Sequence, residues 1–123
     1  ERVQTPLLAD ESIFSLKDAR KLLDMQAIDY VNIKLAKTAG ITQALQLADL
    51  SASYDVKCMI GCMLEGPISV AAGVHVASAK ADIITMLDLD AVSLLASYPV
   101  KTSIKFNESE IRLSEEIGLG VFY

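Results

Sequence analysis

The chain has 123 residues, a net charge of −5 and 52% hydrophobic residues, with a mean hydropathy of +0.38. That length suits one domain, and its apolar stretches are interrupted too often to supply the roughly 20 residues a bilayer-spanning helix needs. Lys and Arg are scattered within an acidic total, which disfavours a nucleic-acid partner, since such partners favour a basic face.

The opening "ERVQTPLLAD" has no apolar core of a signal peptide, and its "TPLLAD" reads as a short strand. "SLKDARKLLDMQ" then reads as an amphipathic helix, with Ser15 as N-cap, Asp18 three residues on, and Ala19, Leu22, Leu23 and Gln26 at helical spacing. "YVNIKL" is a second strand: Tyr30, Asn32 and Lys34 fall on one parity, Val31, Ile33 and Leu35 on the other. "ITQALQLADLSASYD" is a helix with Ile41, Ala44, Leu45 and Ala48 on one stripe. "KCMIGCM" is a third strand, and "GPISVAAGVHVASAK" a third helix with Pro67 in its first turn. "DIITMLDLD" is a fourth strand and "AVSLLASY" a short fourth helix.

Strand and helix thus alternate at intervals of about 25 residues, which predicts parallel strands covered by helices. The last stretch differs: "SIKFNESEIRL" reads as a hairpin around "NESE", packed apart from the parallel sheet. Four βα units fit either a small open sheet or half of a (β/α)8 barrel. The polar residues that gather at strand ends, Asp10–Glu11, Lys34, Glu65, Asp88 and Asp90, favour the half-barrel, whose chemistry sits at the C-terminal ends of its strands. The predicted organisation is a half-barrel over residues 1–98 and a tail over 99–123.

Cys58 and Cys62 on one strand face would lie about 13 Å apart at roughly 3.3 Å per residue. That is too far for a disulfide, and two thiols make a poor zinc site. They are expected as buried free thiols in a reducing cytoplasm.

Asp10 can bind a hard cation such as Mg2+, although magnesium wants more oxygens than one carboxylate supplies; it can equally cap a local turn, with Glu11 paired to a lysine. Lys34 is either an exposed strand-end lysine or a base in a barrel mouth, its pKa lowered by burial and nearby cations. Lys37, in the following loop, is expected to be solvated. Asp88 and Asp90 face the same way on an extended strand, so they either share a cation, from a metal or a ligand ammonium, or favour a helix N-terminus. Glu65 also precedes a helix. His75 lies in an apolar helix and is expected to pack or face solvent. "TAG" is no phosphate loop, having neither a GxGxxG nor a Walker pattern.

Taken together, "LLADESIFS", "YVNIKLAKTAGI", "CMIGCMLEGPISVAAGVHVASA" and "ITMLDLD" resemble the enolase superfamily, its muconate-lactonizing subgroup, and within that the dipeptide epimerases. The resemblance covers nearly the whole chain. It implies that Asp10 is the last of three carboxylate ligands to Mg2+. It implies that Lys34 is one of two opposed lysines that take and return an α-proton, with Asp88 and Asp90 holding the α-ammonium of a dipeptide. The mechanism implied is a stepwise 1,1-proton transfer. It implies a tail that returns to a capping domain, and leaves Glu65 and Glu11 without a role. The chain departs in "TAG", where the family commonly has "TGG" or "TSG", and in Ala91, where Gly, Ser or Pro usually follows the second aspartate.

The partner lysine, two carboxylates, the capping domain and the first four barrel strands have no counterpart in this sequence. The expectation is therefore the second half of an enzyme, inactive as an isolated chain. Open sheet edges invite self-association, and a homo-oligomer is expected. Two other readings stand beside it: a cycloisomerase or o-succinylbenzoate synthase of the same subgroup, and a non-catalytic half-barrel that serves assembly.

Overall fold

The computed structural model describes residues 3–107 and 109–122. Four parallel strands form one sheet in sequence order: β1 (Leu8–Ala9), β2 (Tyr30–Lys34), β3 (Lys57–Gly61) and β4 (Ile84–Asp88). Between them run α1 (Leu16–Asp24), α2 (Ile41–Ser53) and α3 (Pro67–Ala79). The predicted α/β alternation and parallel pairing are both present, and β2 is buried on both faces except at its ends, as a parallel strand covered by helices must be. Val31, Ile33, Cys58 and Ile60 join the core with Ala44, Leu47, Ala48, Val70 and Val74 of the helices.

Local chemistry sets the helix starts. Ser15 caps α1, its hydroxyl accepting from the Asp18 amide, which satisfies one of the unpaired amides of the first turn. Gly40 precedes α2 at φ 108°, a conformation few other residues adopt. Pro67 opens α3 where its missing N–H costs nothing. α3 buries Val70, Ala71, Ala72, Gly73, Val74, Val76 and Ala77. A Cβ at Gly73 would meet Leu89 at 3.5 Å, so the chain after β4 closes directly over this helix.

The fourth helix is a correction. Only a four-residue 3-10 turn, Ala91–Leu94, follows β4; Ala91 and Val92 are buried but Ser93 and Leu94 are exposed, too short a buried stripe to carry a regular helix.

The tail forms two small antiparallel sheets: β5 (Lys101–Thr102) with β8 (Val121–Phe122), and β6 (Lys105–Asn107) with β7 (Glu110–Arg112). The second is the predicted hairpin, with Phe106 opposite Ile111; Glu108 of its turn lies outside the described residues. Phe106, Ile111, Leu113 and Leu119 pack against the main core. Among the described residues no helix is long and apolar enough to cross a membrane.

Candidate active site

Parallel register decides which side chains share the sheet's open face. Lys34 pairs with Gly61, and Gly61 with Asp88. These three form one row across β2, β3 and β4, and partners in register point the same way. Lys34 and Asp88 therefore stand two strand spacings apart, about 9.5 Å between Cα atoms, separated by a residue with no side chain. Asp10 lies one residue beyond β1 on the same edge.

The edge near β1 is a cluster of four charges. Lys34 Nζ donates to Asp10 Oδ2 at 2.8 Å and to Glu11 Oε1 at 2.9 Å. Lys37 Nζ donates to Asp10 Oδ1 and to the Asp10 carbonyl, both at 2.6 Å, and sits 5.9 Å from the centre of the Phe14 ring. The expectation that Lys37 is solvated is overturned: its side chain is 3% exposed. The reason is the turn after β2, in which the Lys37 and Thr38 amides bond to the Lys34 carbonyl. That turn folds the Lys37 side chain back across the sheet edge onto β1.

The lowered pKa expected for Lys34 is also corrected. The hydrogen bond it donates to Asp10 raises it most, burial opposes, and Glu11 raises it further, so the net shift is upward. Asp10 moves the other way. Burial pushes its carboxyl up, but the bonds from Lys34 and Lys37 outweigh it and hold it below its ordinary value. In this arrangement Lys34 is an ammonium and Asp10 a carboxylate with a cation on each oxygen.

At the other side, Asp88 and Asp90 line a cleft of about 340 Å³ with Ser93, Phe106, Glu110 and Ile111. Both are exposed, while Leu89 between them is buried. The strand expected to carry both is shorter than the sequence suggests: β4 ends at Asp88, and Asp90 has helical backbone angles at the start of the 3-10 turn. The hairpin supplies the apolar wall opposite them.

Cys62 lies beside them, its Sγ 3.5 Å from the Asp88 carbonyl. Burial raises its thiol pKa most, and the charges of Asp90, Glu65 and Asp88 add to this. Cys62 thus lies past the end of β3 and half-buried, whereas Cys58 is fully buried, and both are free. Glu65 accepts from the Met63 amide at 2.8 Å and from the Ser69 hydroxyl, bracing the turn into α3. His75 is half-buried on α3, away from this edge.

Two residues were named in the sequence but given no part in the site. Lys37 could have been flagged by its spacing, three residues after Lys34 with a turn between. Asn32 was the more visible signal: an amide inside an apolar strand, on Lys34's parity. It is 2% exposed, and its Oδ1 has no partner among the described residues. A Cβ at Gly61 would come within 2.8 Å of that oxygen, so the Asn32 amide fills the space that a Gly61 side chain would take.

A model of the Enolase C-terminal domain-like family matches residues 1–122. The chain belongs to that family. Within it, the chain is 47% identical to the L-Ala-D/L-Glu epimerase of Clostridium acetobutylicum over 121 residues, 98% of this chain and 34% of that protein. It matches the dipeptide epimerase of Enterococcus faecalis, complexed with Mg and the dipeptide L-Leu-L-Tyr, with a TM-score of 0.91 at 38% identity, covering 98% of this chain and 34% of that one. The substrate-liganded L-Ala-D/L-Glu epimerase of Bacillus subtilis gives a TM-score of 0.91 at 34% identity, covering 97% and 33%. The family membership agrees with the half-barrel expected from the sequence, and the chain spans about a third of the length of these relatives.

Proposed function

We propose that the complete protein carrying this enolase-family chain is a Mg2+-dependent dipeptide epimerase that inverts the α-carbon of an Ala-Glu-like substrate. The observation that carries the reading is the row Lys34–Gly61–Asp88, with Asp10 on the same edge. A proton-transfer group and an ammonium anchor stand on one face, separated by Gly61, which carries no side chain.

Asp88 and Asp90 hold the α-ammonium of the dipeptide. Two carboxylates on one cleft repel each other until a cation joins them, and the substrate supplies that cation. Lys34 meets the α-carbon from one side. As an ammonium it delivers a proton; as the neutral amine left behind, it accepts one.

The Asp10 carboxylate fits a divalent cation: it is a hard oxygen donor whose Oδ2 already faces a cationic group, the Lys34 ammonium. Among the described residues no group of three or more acidic, His or Cys side chains could hold a metal alone, so Asp10 contributes one ligand and the others come from outside this chain. Bound there, Mg2+ supplies charge stabilisation to the substrate's carboxylate oxygen. The opposed base is likewise to be found outside this chain. The chain alone is therefore inactive, and its uncovered sheet edges make it self-associate; a monodisperse monomer in analytical ultracentrifugation would remove that last part.

The test is α-proton exchange of L-Ala-L-Glu and L-Ala-D-Glu in D2O by the complete protein with Mg2+. Exchange with inversion, lost in EDTA, is the expected result. A complete, folded, metal-loaded protein that exchanges no dipeptide proton would sink the reading.

A further inference from the structure

Glu11 has no role in the chemistry described so far, yet it touches the proposed base directly. Its Oε1 lies 2.9 Å from Lys34 Nζ. Neighbouring residues on a strand point to opposite faces, so Asp10 and Glu11 would not reach one ammonium from a continuous β1. They do so because the chain turns at Glu11–Ser12, closed by the Ile13 amide on the Asp10 carbonyl at 3.1 Å.

The two carboxylates are not equivalent. Asp10 is shared: Lys37 holds its Oδ1 and carbonyl, and Lys34 holds its Oδ2. Among the described residues, Glu11 has Lys34 as its only ion-pair partner. A divalent cation held by the Asp10 carboxylate would compete with Lys34 for it. Glu11 is then the remaining anion within reach of that ammonium.

We infer that Glu11 is a positioning residue for Lys34: it holds the ammonium at the β2 end of the Lys34–Gly61–Asp88 row while Asp10 is engaged elsewhere. The inference rests on the epimerase reading and deepens it. Glu11 touches neither the substrate nor the metal in this scheme; it acts through Lys34 alone. That separates it from a third possibility, in which Glu11 is itself a metal ligand.

An epimerase with two opposed bases offers a readout that a merely structural residue would not move. Each base serves one stereoisomer, so disturbing Lys34 slows proton exchange from one epimer selectively. The experiment uses the complete protein and the variants Glu11→Gln and Glu11→Asp. Deuterium wash-in is followed separately from the L,L and L,D substrates, and Mn2+ affinity is measured by electron paramagnetic resonance.

The expected result is a loss of about tenfold or more in wash-in from one epimer with Glu11→Gln, set by the geometric sensitivity of proton transfer. Wash-in from the other epimer changes little, Mn2+ affinity stays within about threefold, and Glu11→Asp recovers part of the loss. Equal losses on both epimers, or none, overturn the positioning role. A fall in Mn2+ affinity of about 10–100-fold overturns it in favour of metal ligation. If the unaltered protein exchanges neither epimer, the epimerase reading itself has failed and the inference falls with it. If Glu11→Gln does not melt like the parent, Glu11→Ala takes its place with the same readouts and the same overturning results.

Discussion

Replacing Lys37 with methionine should destabilise the complete protein without touching the proton-transfer group. Lys37 is 3% exposed and donates two 2.6 Å bonds, to the Asp10 carboxylate and to the Asp10 carbonyl. A bond to a charged group contributes about 1.5–3 kcal/mol, and breaking one side of a fully buried pair costs about 3–5 kcal/mol. Asp10 is not fully buried: its side chain is 30% exposed, and it keeps Lys34 on its other oxygen. Methionine also preserves most of the buried stem. These offsets bring the expected cost down to about 2 kcal/mol. Urea denaturation in EDTA measures it with metal linkage removed. Lys34→Met is the control. It leaves Asp10 with its buried partner, so it should cost clearly less stability while abolishing exchange. The reasoning fails if Lys37→Met unfolds within about 0.5 kcal/mol of the parent, or if Lys34→Met costs as much.

Asp88→Asn with Asp90→Asn should lower kcat/KM for Ala-Glu by about 100-fold through lost ammonium binding, while a substrate of the same subgroup without an ammonium would be turned over normally. Ala39 has φ 54°, in the left-handed region that costs a non-glycine residue about 1 kcal/mol or more; Ala39→Gly should raise stability by about 0.5 kcal/mol net of chain entropy, read from the urea midpoint. Gly61→Ala places a Cβ 2.8 Å from Asn32 Oδ1 and should cost about 1–3 kcal/mol, a loss that Asn32→Ala reduces when combined with it. Asp10 titrates below its ordinary 3.8 and Lys34 above its ordinary 10.5. Their stabilisation is therefore complete between those two values, lost as pH falls through the depressed Asp10 value, and lost as pH rises through the elevated Lys34 value. A stability gap between the parent and an Asp10→Asn, Lys34→Met variant that is flat with pH would contradict this.

The strands and long helices were legible from period and punctuation: α1 and α2 repeat apolar residues at helical spacing, and Ser15 and Pro67 mark the starts of α1 and α3. The residues of the edge were legible as types at strand ends. Their states were not. Lys34 looks like a candidate for a depressed pKa until Asp10 and Glu11 are found on it, and those contacts depend on a turn that no periodicity announces. Lys37 looks like a loop lysine for the same reason. Asp88 and Asp90 were read on one extended strand, but β4 ends at Asp88 and Asp90 opens the 3-10 turn. What decides each case is contact between residues far apart in sequence, 27 positions for Lys37 and Asp10.

The departure of this chain at "TAG" follows from the same turn. Thr38 Oγ1 donates to carbonyls of the turn, with Lys34 O and Gly40 O both at 3.2 Å, and Ala39 sits in the left-handed region beside it. The turn therefore carries strain where a glycine would carry none. It is kept closed by the threonine hydroxyl, by Gly40 at φ 108°, and by Lys37 bonded to Asp10 across the edge. Each of these holds the loop in the one conformation that returns an ammonium to the β1 edge. The strain at Ala39 and the buried ion pair at Lys37 are thus two sides of one device, which holds Asp10 Oδ1 on Lys37 and leaves Oδ2 to Lys34.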